Sequence, residues 1–249
     1  MARDERLYPD FTNGLFAWHL FRYGWALPYA YGRDVLDLGC GSGYGVALLA
    51  GVARSVLGVD YDREVVAECK ELYGGIRNVQ FAAMDAPRLA LGTGRFGLVT
   101  CFEVLEHLPS GDASAAMAEM ARVLERGGVL LASTPNRLVE IPHYRAAGLK
   151  YNRHINYYSP RELRRDLSKH FRDLQLLGQV PCESLGKRML RWMDIFNLRH
   201  HLIPRGMRAW VNRWRSHGQG GMPPDLGGFQ VKRYLVRQSG VLLALCRKR

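Results

Sequence analysis

The chain has 249 residues, 47% of them apolar and 23% charged, which is ordinary globular composition and enough length to bury one substantial core. That composition argues against a disordered, fibrous or disulfide-stapled chain. Lys and Arg number 35 against 23 Asp and Glu, a net charge of +12, so an acidic partner or an anionic surface has to be considered.

The segment Asn13 to Tyr31 is apolar and aromatic and reads as a helix or helix pair ahead of the first strand. Asp34 to Leu38 (DVLDL) is a short strand running straight into Gly39 to Gly45 (GCGSGYG), after which Val46 to Ala50 reads as helix. Strand, glycine turn and helix open a βαβ unit. The alternation continues with strand Ser55 to Val59, helix Asp62 to Leu72, strands Val79 to Ala83 and Phe96 to Cys101, helix Ala113 to Leu124 and strand Gly128 to Ser133. Such alternation predicts a parallel sheet covered by helices on both faces. Pro135 and Pro142 then break the pattern into a loop. Ser159-Pro-Arg-Glu162 is a capping box with Pro at the first helical position, which predicts a helix from about 160 to 168. Phe171 to Gln179 and Gly240 to Cys246 read as closing strands, separated by a long insertion over 182–228 whose Gly- and Pro-rich end, 218–224, reads as a mobile loop.

The five cysteines, Cys40, Cys69, Cys101, Cys182 and Cys246, are scattered and never form a Cys-x-x-Cys pair, so neither a disulfide framework nor a zinc knuckle is suggested. A reducing compartment fits that usage. The first six residues (MARDER) are too charged for a secretory signal, and no apolar run approaches the roughly 18 to 20 residues that span a bilayer. The expectation is a cytoplasmic protein, soluble or peripheral on the cytoplasmic face of a membrane.

A glycine turn at the carboxyl end of a first strand lets a ligand approach the backbone and the next helix N-terminus. Spacing narrows the ligand. A dinucleotide fingerprint fails in either register, because Tyr44 or Val46 falls where its third glycine belongs, and the Gly-Lys-Ser/Thr of a phosphate loop is absent. What remains, Asp37-Leu-Gly-Cys-Gly-Ser-Gly43, resembles the first motif of class I S-adenosylmethionine-dependent methyltransferases.

The resemblance extends over most of the chain. Asp60, 21 residues after Gly39, stands where a carboxylate accepts hydrogen bonds from a ribose diol, and Tyr61 offers a flat face to adenine. Met84-Asp85-Ala86, Phe102-Glu-Val-Leu-Glu-His-Leu108 and Arg122 to Leu131 resemble the later motifs. The resemblance implies a Rossmann-like doubly wound sheet, mostly parallel and seven-stranded with an antiparallel last strand, carrying an α-helical insertion near the C-terminus. It implies one domain: a helical cap over 1–32, a cofactor core over 33–180, the basic insertion over 181–228 and a closing strand within 229–249. S-adenosylmethionine is the implied cofactor, held by Gly39, Cys40, Gly41, Gly43, Asp60, Tyr61, Asp85, Ala86 and Phe102. For Arg22 and Tyr23, contact with the cofactor carboxylate stands beside simple packing of the N-terminal helix. His19 to Tyr23, Ser133 to Arg137 and His154 to Leu163 further resemble methyltransferases associated with polysaccharide and glycolipid assembly.

In such an enzyme the sulfonium is already electrophilic, so the protein mainly aligns the acceptor and excludes water. A hydroxyl acceptor also has to lose a proton, for which His107 is the first candidate and His154 the second. Either histidine serves equally well as a structural hydrogen bonder. Glu103 and His107, four residues apart, are only two metal ligands, so no metal site is expected.

The charge is divided: residues 1–135 hold 12 basic and 16 acidic residues, residues 136–249 hold 23 and 7. Between Lys187 and Arg215 eight basic residues face one acid, Asp194, and interleave with Trp192, Trp210 and Trp214 at amphipathic-helix spacing. A helical lid with a solvated basic face, contact with anionic lipid headgroups and contact with nucleic acid all suit that pattern. The leading expectation is O-methylation of a sugar or other hydroxyl on a glycan, glycolipid or small metabolite. Quinone or RNA methylation, or a cofactor-binding module without turnover, are the alternatives.

Overall fold

The computed structural model describes residues 14–146, 154–181, 229–233 and 236–249. The first helix, α1 (Gly14–Ala30), precedes an alternation of β1 (Asp34–Leu38), α2 (Tyr44–Ala50), β2 (Ser55–Asp60), α3 (Arg63–Tyr73), β3 (Val79–Ala83) and β4 (Phe96–Phe102). A single 3-10 turn, Leu105–His107, leads to α4 (Ser110–Val123), β5 (Leu124–Pro135), α5 (Arg137–Ala146) and α6 (Pro160–Leu167). Three strands close the sheet: β6 (Phe171–Pro181), β7 (Phe229–Lys232) and β8 (Val241–Lys248).

The strands lie in the order β3-β2-β1-β4-β5-β8-β6-β7. From β3 through β5 every pairing is parallel, whereas β8 runs antiparallel to β5 and β6. The predicted mostly parallel sheet with an antiparallel last strand is therefore present. It has eight strands rather than seven, because Phe229–Lys232 adds an antiparallel edge to β6. The chain leaves β1 toward β2 on one side and reaches β4 on the other, so the crevice at the carboxyl ends of β1 and β4 is the switch point where ligands bind in such sheets.

Side-chain alternation along the strands builds a core on each face. Val35, Val56, Leu98 and Leu131 pack with Phe16, Leu20 and Leu27 of α1, Val46 and Leu49 of α2 and Val65 of α3. Leu36, Leu57, Val99 and Leu130 face the other way, against Met117 and Met120 of α4 and Leu163 and Leu167 of α6. All seven residues of β4 are buried, as a central parallel strand covered on both faces requires.

The expected helix start at Ser159 is present in full. Its side chain accepts from the Glu162 amide, and the Glu162 carboxylate accepts from the Ser159 amide at 2.9 Å. The expected loop around Pro142 is instead α5. Asn136 caps this helix, its side-chain oxygen accepting from the Leu138 amide at 3.1 Å and its carbonyl from Val139 and Glu140. No side chain of α5 is buried, so the carbonyl that Pro142 leaves without an amide donor can be met by water. The predicted basic insertion, with its loop over 218–224, lies outside the described residues.

Candidate cofactor and acceptor site

The glycine loop after β1 is shaped by three glycines in left-handed backbone, Gly39, Gly41 and Gly43. Gly39 has φ +75°, and a Cβ there would meet Val104 Cγ2 at 2.3 Å, so both conformation and space demand glycine. Gly41 has φ +51° with nothing within 4 Å of an added Cβ, because it faces open space. That space is a cavity of about 850 Å³, within the range of small-molecule sites.

Asp60 at the end of β2 is nearly buried and ties the loop to the cavity wall. Its Oδ2 accepts from the Gly41 amide at 3.0 Å and its Oδ1 from the Asp62 amide at 3.1 Å. A carboxylate offers about four lone-pair positions, so half its accepting capacity is left for a ligand diol. Tyr61 is 51% exposed beside it, and Met84, Asp85 and Ala86 complete that end of the cavity. Gly39, Gly41, Asp60, Tyr61, Asp85 and Ala86 thus share one wall, as their motif resemblance implies.

The other expected cofactor residues stand behind this wall. Cys40 and Phe102 are buried in the core, and Phe102 meets the Tyr23 ring edge-on at 5.2 Å. Gly43 caps α2. The Tyr23 hydroxyl donates to Asp37 Oδ2 at 3.0 Å, and Thr100 donates to Asp37 Oδ1 at 2.6 Å. Burial pushes the Asp37 carboxyl up to about 6 against the pull of those two hydrogen bonds, with the Asp60 charge raising it further. Tyr23 is therefore a packing residue that locks α1 onto β1.

Arg22 is 2% exposed. Its Nε donates to Gln179 Oε1 at 2.9 Å, and Gln179 donates in turn to the Trp18 carbonyl at 3.0 Å. Arg22 Nη1 lies 3.3 Å from Glu103 Oε1, yet makes no hydrogen bond among the described residues. A buried guanidinium with donor capacity to spare, held against the cavity-lining Glu103, has the chemistry to bind a carboxylate.

Glu103, which sequence reasoning treated only as half of a metal pair, lines the cavity in the left-handed region at φ +56°. Its amide donates to the Ser133 carbonyl at 3.1 Å, and Ser133 Oγ donates to Oε1 at 2.7 Å. Strain of this kind in a non-glycine residue gathers at functional sites.

The 3-10 turn follows at once. His107 faces the cavity, and its ring lies edge-on to that of His154, with centroids 5.0 Å apart. Both sequence candidates for a base are therefore together. The loop carrying His154 is fixed by the Glu106 carbonyl, which accepts from the amides of Ile155 and Asn156 at 2.9 Å each. Glu106 itself is fully buried, and burial together with the Glu103 charge holds its carboxyl well above the usual range. Donor atoms of Glu106, His107 and His154 all lie within 4.8 Å of one another. This trio replaces the Glu103 and His107 pair considered from spacing. Its third member comes from 47 residues further on, and the helical spacing that suggested Glu103 does not apply in a 3-10 turn.

The comparisons agree with this geometry. Residues 8–171 match the family described as Methyltransferase domain. A probable S-adenosylmethionine-dependent methyltransferase of Mycobacterium tuberculosis is 37% identical over 193 residues, covering 76% of this chain and 66% of the relative; the match thus spans just under two thirds of that relative's length. A ubiquinone biosynthesis O-methyltransferase of Burkholderia cenocepacia is 36% identical over 170 residues, 66% of this chain and 70% of that protein. In fold, a SAM-dependent methyltransferase from Archaeoglobus fulgidus superposes with a TM-score of 0.59 at 17% identity, covering 94% of this chain and 93% of its own. With the glycine loop and Asp60 lining one cavity and residues 8–171 matching the domain model, the chain belongs to the methyltransferase-domain family, the S-adenosylmethionine-dependent methyltransferases.

Proposed function

We propose that this protein transfers the methyl group of S-adenosylmethionine to a hydroxyl of a lipid-linked or otherwise lipophilic acceptor, with a sugar hydroxyl of a glycan or glycolipid as the first choice. The observation that carries this reading is a single cavity lined by both Asp60 and His107, with the His154 ring edge-on to that of His107. Asp60 and Tyr61 would hold the nucleoside, and Arg22 the amino-acid carboxylate, leaving the acceptor to enter beside His107. The cofactor supplies an electrophilic methyl when bound. The chain positions the acceptor oxygen, shields it from water and disposes of its proton through the Glu106, His107 and His154 cluster.

Leu108, Ala115 and Ile155 bring apolar side chains to the lining that also holds His107, and Ile155 is 71% exposed. A quinol hydroxyl is therefore the second reading, supported by the relatives named for ubiquinone biosynthesis. No helix among the described residues is long and apolar enough to cross a membrane. We place the acceptor at an anionic membrane surface through the basic 187–215 segment, where each well-placed Lys or Arg adds about 1 kcal/mol. Incubation with methyl-labelled S-adenosylmethionine, a glycolipid extract and a short-chain quinol, followed by mass spectrometry, tests the assignment. One added methyl on a hydroxyl of either acceptor is expected. Label that stays in the cofactor, or appears on nitrogen or carbon, refutes it. Sedimentation with anionic vesicles should fall when Arg205, Arg208 and Arg215 are neutralised; unchanged binding removes the membrane placement.

A further inference from the structure

Glu106 is the unusual group of the acceptor end. It is fully buried, and only one of its carboxylate oxygens is satisfied. Oε2 accepts from Thr134 Oγ1 at 3.2 Å, while Oε1 has no hydrogen-bond partner among the described residues. A buried carboxylate oxygen without a partner is costly, and Glu103 brings a second acid close by. Arg22 lowers the cost of the Glu106 charge from a distance, but its described contacts go to Gln179 and Glu103 and none of its hydrogen bonds reaches Glu106. What does face Glu106 is a pair of imidazoles, with donor atoms of all three residues within 4.8 Å of one another.

We propose that Glu106, His107 and His154 form a binding site for a divalent ion of the zinc class at the acceptor end of the cavity. The donor set decides the class. Two imidazoles and one carboxylate suit zinc, cobalt and their neighbours, whereas magnesium and calcium take oxygen ligands. Three protein ligands leave a coordination position open, as in catalytic zinc sites, and His107 places that position on the cavity. Thr134 orients the carboxylate from behind, and the Glu106 carbonyl keys the His154 loop to the same turn. The site deepens the function proposed above and rests on it for its role. An ion here polarises the O–H bond of the acceptor. With the ion bound, the cluster handles the proton through the ion and not as the base itself: the polarised hydroxyl releases its proton to solvent at the open edge of the cavity, its oxygen bonds to the methyl carbon, the carbon–sulfur bond breaks, and the sulfonium becomes a neutral thioether.

The test uses the full chain, stripped with a chelator and titrated with cobalt(II), read by visible absorption and by zinc competition. One saturable equivalent is expected. Glu106→Gln and His154→Gln should each weaken it by more than about 100-fold, since loss of a direct ligand exceeds the 10–100-fold typical of outer-shell partners. His143→Ala, on exposed α5, should leave it unchanged. Calorimetric binding of S-adenosylhomocysteine by every variant separates a lost ion site from a lost fold or a lost cofactor site. A wild type with no saturable cobalt spectrum, or metal binding that survives both substitutions, overturns the proposal while leaving the methyltransferase reading standing.

Discussion

Asp60 is the residue on which cofactor recognition can be tested most directly. Two of its lone-pair positions are spent on the Gly41 and Asp62 amides, and the remaining two are what a ribose diol would use. Hydrogen bonds to a charged group contribute about 1.5–3 kcal/mol each. At the lower end, two of them give about 3 kcal/mol, or about 150-fold in Kd. Asp60→Ala also removes the acceptor of two loop amides, so affinity alone would confuse a lost contact with a loosened loop. A ligand cycle separates them. Calorimetry of S-adenosylhomocysteine against its 2′,3′-dideoxy analogue should show wild type preferring the diol by about 150-fold. Asp60→Ala should bind both ligands weakly and about equally. A variant that keeps the diol preference would show that the ribose is held elsewhere and that Asp60 serves only the loop.

Three further outcomes follow from the packing around that loop. The Asp37 carboxyl, raised from 3.8 to about 6, holds a proton in the folded protein that the unfolded chain has already released, so it lowers stability as pH rises between those values. Urea unfolding should show wild type losing about 2 kcal/mol relative to Asp37→Asn between pH 4.5 and 7.5; a pH-independent difference contradicts the burial argument. Gly45→Ala would place a Cβ 2.0 Å from Tyr23 Cζ, on a ring pinned by Asp37 and by Phe102, and should cost about 1–3 kcal/mol by chemical denaturation despite alanine's better helix propensity. Ser159→Ala removes the capping box and, at about 1 kcal/mol, should lower Tm by about 2–4 °C; an unchanged Tm would mean that α6 is held by Leu163 and Leu167 alone.

The cofactor half of the molecule was largely legible in the sequence because it is written in local terms. Gly39 and Gly41 need left-handed backbone, Asp60 terminates a strand at a fixed distance from them, and alternating apolar runs reveal β1 to β5. What escaped was non-local. Arg22 and Gln179 are 157 residues apart and meet only because the tertiary fold brings Gln179 of β6 to α1, where it also bonds the Trp18 carbonyl. No periodicity marks Gln179 as buried. The helix α5 escaped because Pro142 reads as a breaker, and it is tolerated on an exposed helix where water can replace the missing donor. The edge strand β7 has only four residues and pairs with β6 across a long insertion. Cys40 and Phe102 sit inside matching motifs, yet their side chains face the core, since a motif is defined by chain position and a contact by direction.

The two ends of the cavity are built on different principles, and this bears on how acceptor choice is encoded. At the cofactor end, the loop after β1 and the end of β2 are held by parallel ladders on both sides, so the positions of Gly41 and Asp60 follow from the sheet itself. At the acceptor end, His154 and Ile155 come from a loop whose place is set by two amides bonding one carbonyl, that of Glu106. The same residue's side chain faces His107 and His154. A change in that turn would therefore move the acceptor wall and the proton-handling cluster together, while leaving the diol site and Arg22 where they are. The charge is divided along the chain as well: the near-neutral first half carries the cavity-lining glycine loop, Asp60 and His107, and the basic excess follows β5. If the basic excess serves the acceptor, as proposed above, neutralising Arg205, Arg208 and Arg215 should raise KM for the acceptor without altering affinity for S-adenosylhomocysteine, and an unchanged KM refutes that assignment.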